Sequence, residues 1–234
     1  MRPTHGLQLQ ANYVWSRSVD DLSSEAGVDS HGAPTLFMNP FNYAEDKGRS
    51  DFNAAQVFVM NAIYDLPSWK AANWSRFLVN GWQLGSILTL STGYPFTALT
   101  GFCQSNVTIS CGADRPNLAP GMSNNPVLGG PNEYFNPAAF ALQQNGTFGN
   151  AGRNTLIGPG LANLDFSLYK MVTVKEGKNL QIRAEVFNIF NRPNFALPAL
   201  NLFQSNGAPT GNAGVITQTV TSGRQIQFGV KLNF

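Results

Sequence analysis

Gln225-Ile-Gln-Phe-Gly-Val-Lys-Leu-Asn-Phe234 alternates polar and apolar residues without a break and closes on an aromatic side chain. Ile226, Phe228, Val230, Leu232 and Phe234 share one parity, and Gln225, Gln227, Gly229, Lys231 and Asn233 share the other. Successive side chains of a strand point to opposite faces, so this segment is apolar on one side and polar on the other. About ten residues is the length a tilted strand needs to cross a bilayer. A soluble sheet can carry the same alternation, so the reading depends on the rest of the chain.

Five further segments repeat the pattern. Leu7, Leu9, Ala11, Tyr13 and Trp15 alternate with Gln8, Gln10, Asn12, Val14 and Ser16. Phe58, Met60, Ala62, Tyr64 and Leu66 form the apolar parity of a second strand whose other face is also largely apolar. Trp82, Leu84, Leu88 and Leu90 mark a third, Leu164, Phe166 and Leu168 a fourth, and Leu180, Ile182, Ala184 and Val186 a fifth. No segment sustains an apolar stripe at i, i+3, i+4, which predicts almost no helix.

The charges discriminate between a soluble and a membrane sheet better than the apolar residues do. Only 12% of residues are charged, about half the usual soluble share. Asp65, Asp165, Arg183, Glu185 and Lys231 all fall on the polar parity of their strands, with Arg17 and Lys170 as exceptions near strand ends. An Arg or Lys facing lipid near the midplane costs about 2–4 kcal/mol, so this segregation is what a barrel wall requires. The polar face of a soluble sheet normally carries far more Lys and Glu. Mean hydropathy is −0.13, and no apolar run approaches the roughly 18 residues of a membrane helix. The net charge of +2 is too small and too dispersed for a nucleic-acid surface, so no nucleic-acid partner is expected.

The connections alternate in length. Long polar segments, about residues 18–50, 93–160 and 192–222, separate strands one and two, three and four, and five and six. Shorter links, residues 67–78 and 174–179, join the others, the second with Glu176-Gly177 as its turn. Outer-membrane barrels show this asymmetry, with long external loops and short periplasmic turns. The expected fold is therefore all-β: an antiparallel transmembrane β-barrel segment of about six long strands in an open curved sheet.

Cys103 and Cys111, the only cysteines, lie in the longest loop. Their even number and loop setting favour a disulfide pinning a hairpin tip, with two unpaired thiols as the alternative. Catalytic constellations are absent, and no cofactor or metal is expected. The two histidines, His5 and His31, stand in no zinc-binding context. Gly158-Pro-Gly160 precedes a strand rather than a helix and reads as loop punctuation. Asp20, Asp21, Glu45, Asp46 and Asp51 lack calcium-loop spacing and read as solvated charges. Aromatics crowd the loops; Tyr43, Tyr134 and Phe135, beside Arg115 and Arg153, are candidates for ligand contact, or equally for packing the loops together.

Several longer stretches carry a family resemblance. They are Asn80-Gly-Trp-Gln-Leu84 with Thr92-Gly-Tyr-Pro-Phe96, Tyr134-Phe-Asn-Pro-Ala-Ala-Phe140, Phe148-Gly-Asn-Ala-Gly-Arg-Asn154 with Gly158-Pro-Gly160, and Leu164-Asp-Phe-Ser-Leu-Tyr-Lys170. Leu180-Gln-Ile-Arg-Ala-Glu-Val-Phe-Asn-Ile-Phe-Asn191 with Pro193-Asn-Phe195, and the terminal Phe234, complete the set. Together they resemble the carboxyl-terminal region of TonB-dependent outer-membrane receptors, most closely the Oar-like group. The resemblance implies a barrel of about 22 strands around a plug domain, importing a large or scarce nutrient with energy from the TonB complex, and no enzymatic step. It implies that residues 1–234 are the carboxyl-terminal part of such a barrel, with the plug and signal peptide absent from this stretch. Implied partners are outer-membrane lipid, the rest of the barrel, the plug, the TonB complex through that plug, and the outer-membrane assembly machinery. The assembly machinery would read the signal formed by Phe228, Val230, Leu232 and Phe234. Asp165, Arg183, Glu185 and Lys231 would face the lumen. The alternatives are a stand-alone small outer-membrane barrel and a secreted carbohydrate-binding β-domain.

Overall fold

A computed structural model of the chain describes residues 6–23, 36–70, 73–108, 111–175 and 178–234. His5, His31 and the Glu176-Gly177 turn lie outside the described residues. Six long strands form one sheet: β1 (Leu7–Trp15), β2 (Gln56–Asp65), β3 (Trp82–Ser91), β4 (Leu161–Lys175), β5 (Lys178–Phe187) and β6 (Gln225–Asn233). They lie side by side in chain order, every neighbour antiparallel, with β1 and β6 at the two edges.

The register is what makes the sheet a two-faced wall. Leu7, Tyr64, Leu84, Leu168, Ala184 and Phe228 stand opposite one another across all six strands. The next row is Gln8, Ile63, Gly85, Ser167, Glu185 and Gln227. Outside β2, whose two faces are both largely apolar, slipping a ladder by one residue would carry apolar side chains into the polar rows, so there the alternation selects this register. It also resolves β2, whose Phe58, Met60, Ala62 and Tyr64 face the same way as the apolar residues of β1 and β3.

The wall has no core of its own. Among the described residues of the long strands only Lys170 and Val172 are buried. Leu9 is 62% exposed and Phe228 78%, as expected for side chains that use hydrocarbon in place of a second packed layer. The buried apolar cluster lies instead in the long connections, around Phe96, Phe135, Phe140, Leu156, Leu202 and Ile216.

Two features depart from the expectation. First, β4 runs from Leu161 to Lys175, several residues beyond the expected Leu164–Lys170 core, because its apolar parity continues through Ala162, Val172 and Val174. Second, a short helix, α1 (Asn73–Val79), occupies the link between β2 and β3. Its seven residues are too few to show a helical stripe, and its C-terminal end is held from outside. Lys170 donates to the carbonyls of Leu78 and Asn80, and its ammonium lies 4.8 Å from the centre of the Trp82 ring. A lysine on the apolar parity is thus turned toward the short-link end of the wall, where the carbonyl of Leu78, which also accepts the Trp82 indole N–H, and that of Asn80, just past the helix, receive it.

Candidate functional site

The three long connections, residues 16–55, 92–160 and 188–224, all leave from one end of the wall, and their described residues fold together into a cap. Short ladders stiffen them: Val19–Asp20 with Gly48–Arg49, Pro95–Phe96 with Leu156–Ile157, and Asn117–Leu118 with Phe140–Ala141. Phe135 is fully buried, 5.9 Å from Phe96 and 6.1 Å edge-on from Phe140, ring to ring. Leu202 and Ile216 bring the third connection into the same cluster. Gly93, in the Thr92–Phe96 stretch, packs so closely on the Gly158 carbonyl that a Cβ there would overlap it. Gly93 is therefore needed for this backbone contact, and a Cβ on Gly158 would overlap the Leu197 side chain, so the stretch is more than loop punctuation.

A polar clasp ties the first connection to the second. Arg115 donates to Asp46 Oδ1 at 2.5 Å and to the Glu45 carbonyl at 3.0 Å, and the two side chains are 4% and 2% exposed. Asp46 Oδ2 also accepts the Met38 backbone N–H. Arg153 donates to Asp20 Oδ1 through both Nη atoms at 2.9 Å, to the Ser23 hydroxyl at 2.7 Å and to the Asp46 carbonyl at 3.2 Å. Asp51 lies 3.6 Å from Arg153 and accepts from Asn154 Nδ2. Partial burial pushes the Asp20 carboxyl up, but hydrogen bonds from Ser50, Arg153 and Ser23, with the Arg153 charge, outweigh it and hold the group below its usual range.

These contacts place the loop candidates. Arg115 and Arg153 are spent on carboxylates of the first connection, so Asp20, Asp46 and Asp51 are clasp residues and not solvated charges. Tyr134 is buried, donates its hydroxyl to the Ile157 carbonyl at 3.0 Å and lies 6.4 Å from Phe96, ring to ring; burial raises its phenol pKa. Phe135 is the centre of the cluster. Tyr43 alone among the five is exposed, its ring 4.2 Å from that of Phe37. Cys103 and Cys111 are joined by a disulfide. The same turn is anchored by Asp114, which accepts the backbone N–H groups of Gln104 and Ser105 at 2.6 Å each. Asp114 gave no sign of this role in the sequence, and the clasp carboxylates gave only one. Acidic groups concentrate in the first connection, while the second holds Arg115 and Arg153 with few acids beside them.

The polar face carries the remaining charges. Asp165 accepts from Asn163 Nδ2 at 2.8 Å and from the Asn188 backbone N–H at 2.9 Å. Glu185 accepts the Tyr169 hydroxyl at 3.2 Å and stands 4.0 Å from Arg183. Gly229 lies opposite Arg183, and a Cβ on it would come within 2.5 Å of the guanidinium, so the missing side chain leaves room for the arginine. Lys231 stands opposite Gln181. On the other face of β6, Phe228, Val230 and Leu232 are exposed, as is Phe234 beyond it.

Two cavities lie where the strands meet the cap. One, of about 440 Å³, opens between the outer ends of β3 and β4 and the third connection; Tyr94, Leu161, Phe195, Leu197 and Gln218 line it. The other, a hollow of about 390 Å³, is lined by Tyr13, Phe58 and Leu90 from the apolar parity and by Arg192. Neither is lined by the five loop candidates.

A single-layer antiparallel wall, apolar on one face and polar on the other, with a folded cap at one end, defines a membrane β-barrel protein. The comparison with protein families agrees: residues 1–227 match the model of an outer membrane beta barrel domain, and the chain belongs to that family. No curated protein and no solved structure matches it. The apolar face accordingly meets lipid of the bacterial outer membrane, and the long connections lie outside the cell.

Proposed function

We propose that the chain is the carboxyl-terminal wall of a TonB-dependent receptor of the Oar-like group, a transporter of a large or scarce nutrient and not an enzyme. The observation that carries this reading is the open sheet: six strands in sequence, with the outer edges of β1 and β6 unpaired among the described residues. An unpaired strand edge in hydrocarbon leaves each backbone polar group at a cost of several kcal/mol, so a wall of this kind needs further strands to close it. The motifs quoted above supply the family. Outer-membrane membership replaces the secreted carbohydrate-binding alternative.

In this reading Asp165, Arg183, Glu185 and Lys231 meet the plug across the lumen, and the plug contacts the TonB complex. The assembly machinery docks on Phe228, Val230, Leu232 and Phe234. Arg115, Arg153, Tyr134 and Phe135 position the cap, which leaves the exposed Tyr43 as the loop candidate best placed to touch ligand.

The test is to tag the native gene and recover its product from outer membranes. A heat-modifiable species well above 25.3 kDa that crosslinks to TonB in cells is the expected result. A species of 25.3 kDa without a TonB adduct would instead establish a stand-alone barrel and reject the transport reading.

A further inference from the structure

We propose that the link between β2 and β3 is an in-plane membrane anchor. Its helix α1 bends back onto the lipid-facing side of the wall at the periplasmic rim, and Phe77, Leu78 and Val79 enter the acyl–headgroup boundary of the inner phospholipid leaflet. A short turn that merely joined two strands would project into the periplasm. Three observations turn this one toward the lipid. The first is the face of the wall that grips it. Lys170 and Trp82 stand opposite one another on the β3–β4 ladder, both on the parity of Leu84, Phe166 and Leu168 that faces hydrocarbon. Lys170 Nζ donates to the carbonyls of Leu78 and Asn80, and the Trp82 indole N–H donates to the Leu78 carbonyl at 2.7 Å. Both side chains holding the carboxyl end of α1 come from the lipid-facing parity, so that end of the helix lies on that side.

The second observation is where the wall is covered. Its apolar-parity side chains are otherwise open to the surroundings, and among the described residues of the long strands only Lys170 and Val172 are buried. Both belong to the apolar parity of β4, and Met171 between them donates its backbone N–H to the carbonyl of Gly81, at the end of the link. The lipid-facing surface is thus covered just where the link joins it.

The third is what the link presents. Phe77 and Leu78 are each 55% exposed, and Val79 and Trp69 are exposed as well. The segment that carries them is fastened: the Trp69 backbone N–H donates to Asn80 Oδ1 at 2.7 Å, and Asn80 Nδ2 donates to the Trp69 carbonyl at 3.1 Å, which clips the start of the link to its end. Exposed apolar side chains on a fastened segment, continuous with a surface that already meets hydrocarbon, match a lipid boundary and not bulk water. The rings and branched chains enter the acyl region, while the polar residues of the link stay at headgroup level. The proposal rests on outer-membrane residence alone and is independent of the transport reading.

The experiment places the photo-reactive residue p-benzoylphenylalanine at position 77, or separately at position 78, of the full gene product in living cells. After irradiation the adducts are identified by mass spectrometry. The same residue at Phe166, in the wall, gives the response of a lipid-facing site, and at Phe41, 85% exposed in the cap, that of a site away from the bilayer. Phospholipid adducts are expected at positions 77 and 78, at least about tenfold more abundant than at position 41, because burying one such side chain shifts a population by that much or more. Adducts to a periplasmic protein in place of phospholipid would make the link a docking surface for that protein and overturn the proposal. A phospholipid yield at positions 77 and 78 no higher than at position 41 would overturn it too. Each position is a single exposed side chain, and should one replacement prevent assembly, the other still decides.

Discussion

Replacing Arg115 by methionine tests whether the cap is held by its buried clasp or merely by aromatic packing. The guanidinium meets Asp46 at 2.5 Å, with both side chains almost wholly shielded from water at 4% and 2% exposure. Without it, Asp46 keeps only the Met38 N–H at 3.1 Å as a side-chain partner among the described residues. Breaking one member of a buried pair costs about 3–5 kcal/mol, because an uncompensated charge stays behind. At a factor of ten per 1.4 kcal/mol, the open population of the first connection should rise about 100- to 4,000-fold, up to the point where it is open throughout. The assay is trypsin cleavage after Lys47 and Arg49 on intact cells, whose rate follows that population when opening is fast relative to cutting. Adding Asp46→Leu removes both charges and should restore most of the protection. Wild-type cleavage in Arg115→Met, or a double variant as sensitive as the single, would refute the reasoning.

Other outcomes follow from the same geometry. Because the native Asp20 carboxyl lies below its usual range, the stability it adds is fully present above about pH 4. That contribution falls away only as pH drops through the lowered native value, so the protection of the Val19–Asp20 amides, after correction for the intrinsic pH dependence of exchange, should fall below about pH 4; a loss of protection between pH 5 and 7 would contradict the Arg153 contact. Phe166→Arg, in an apolar row of the wall, should cost about 2–4 kcal/mol near the midplane, whereas Ser167→Arg should be tolerated; heat-modifiable mobility on gels compares them, and equal damage would reverse the assignment of faces. Gly93→Ala drives a Cβ into the Gly158 carbonyl and should cost at least about 1–3 kcal/mol, read as faster proteolysis of the second connection. Unchanged protection in that variant would show that the close approach is not maintained in the membrane.

Much of the wall was open to a reader of the chain. Alternation is local, with a period of two, and lipid penalises each misplaced charge, so Leu164–Leu168 or Gln225–Phe234 shows its two faces before any partner is known. The alternating loop lengths carry the up-and-down order for the same reason, since antiparallel neighbours follow from where each strand ends. Lys170 was legible as an exception near a strand end, but not its acceptors, which lie in and just past α1, a helix too short to write a stripe.

The cap was not legible in this way. Arg115 and Arg153, beside aromatic residues in a long loop, have the composition of a ligand site. Folding instead brings them against Asp46 and Asp20, 69 and 133 positions away along the chain. No local period marks such a contact, because loop residues do not repeat and their partners are chosen by how three connections pack. Local side-chain alternation sufficed to specify a membrane wall and its two faces. Whether a loop arginine braces the cap, as Arg115 does, or stays exposed at the rim, as Arg192 does, was decided only when the chain closed on itself, since only packing determines which charges are desolvated and which carboxylates come within reach.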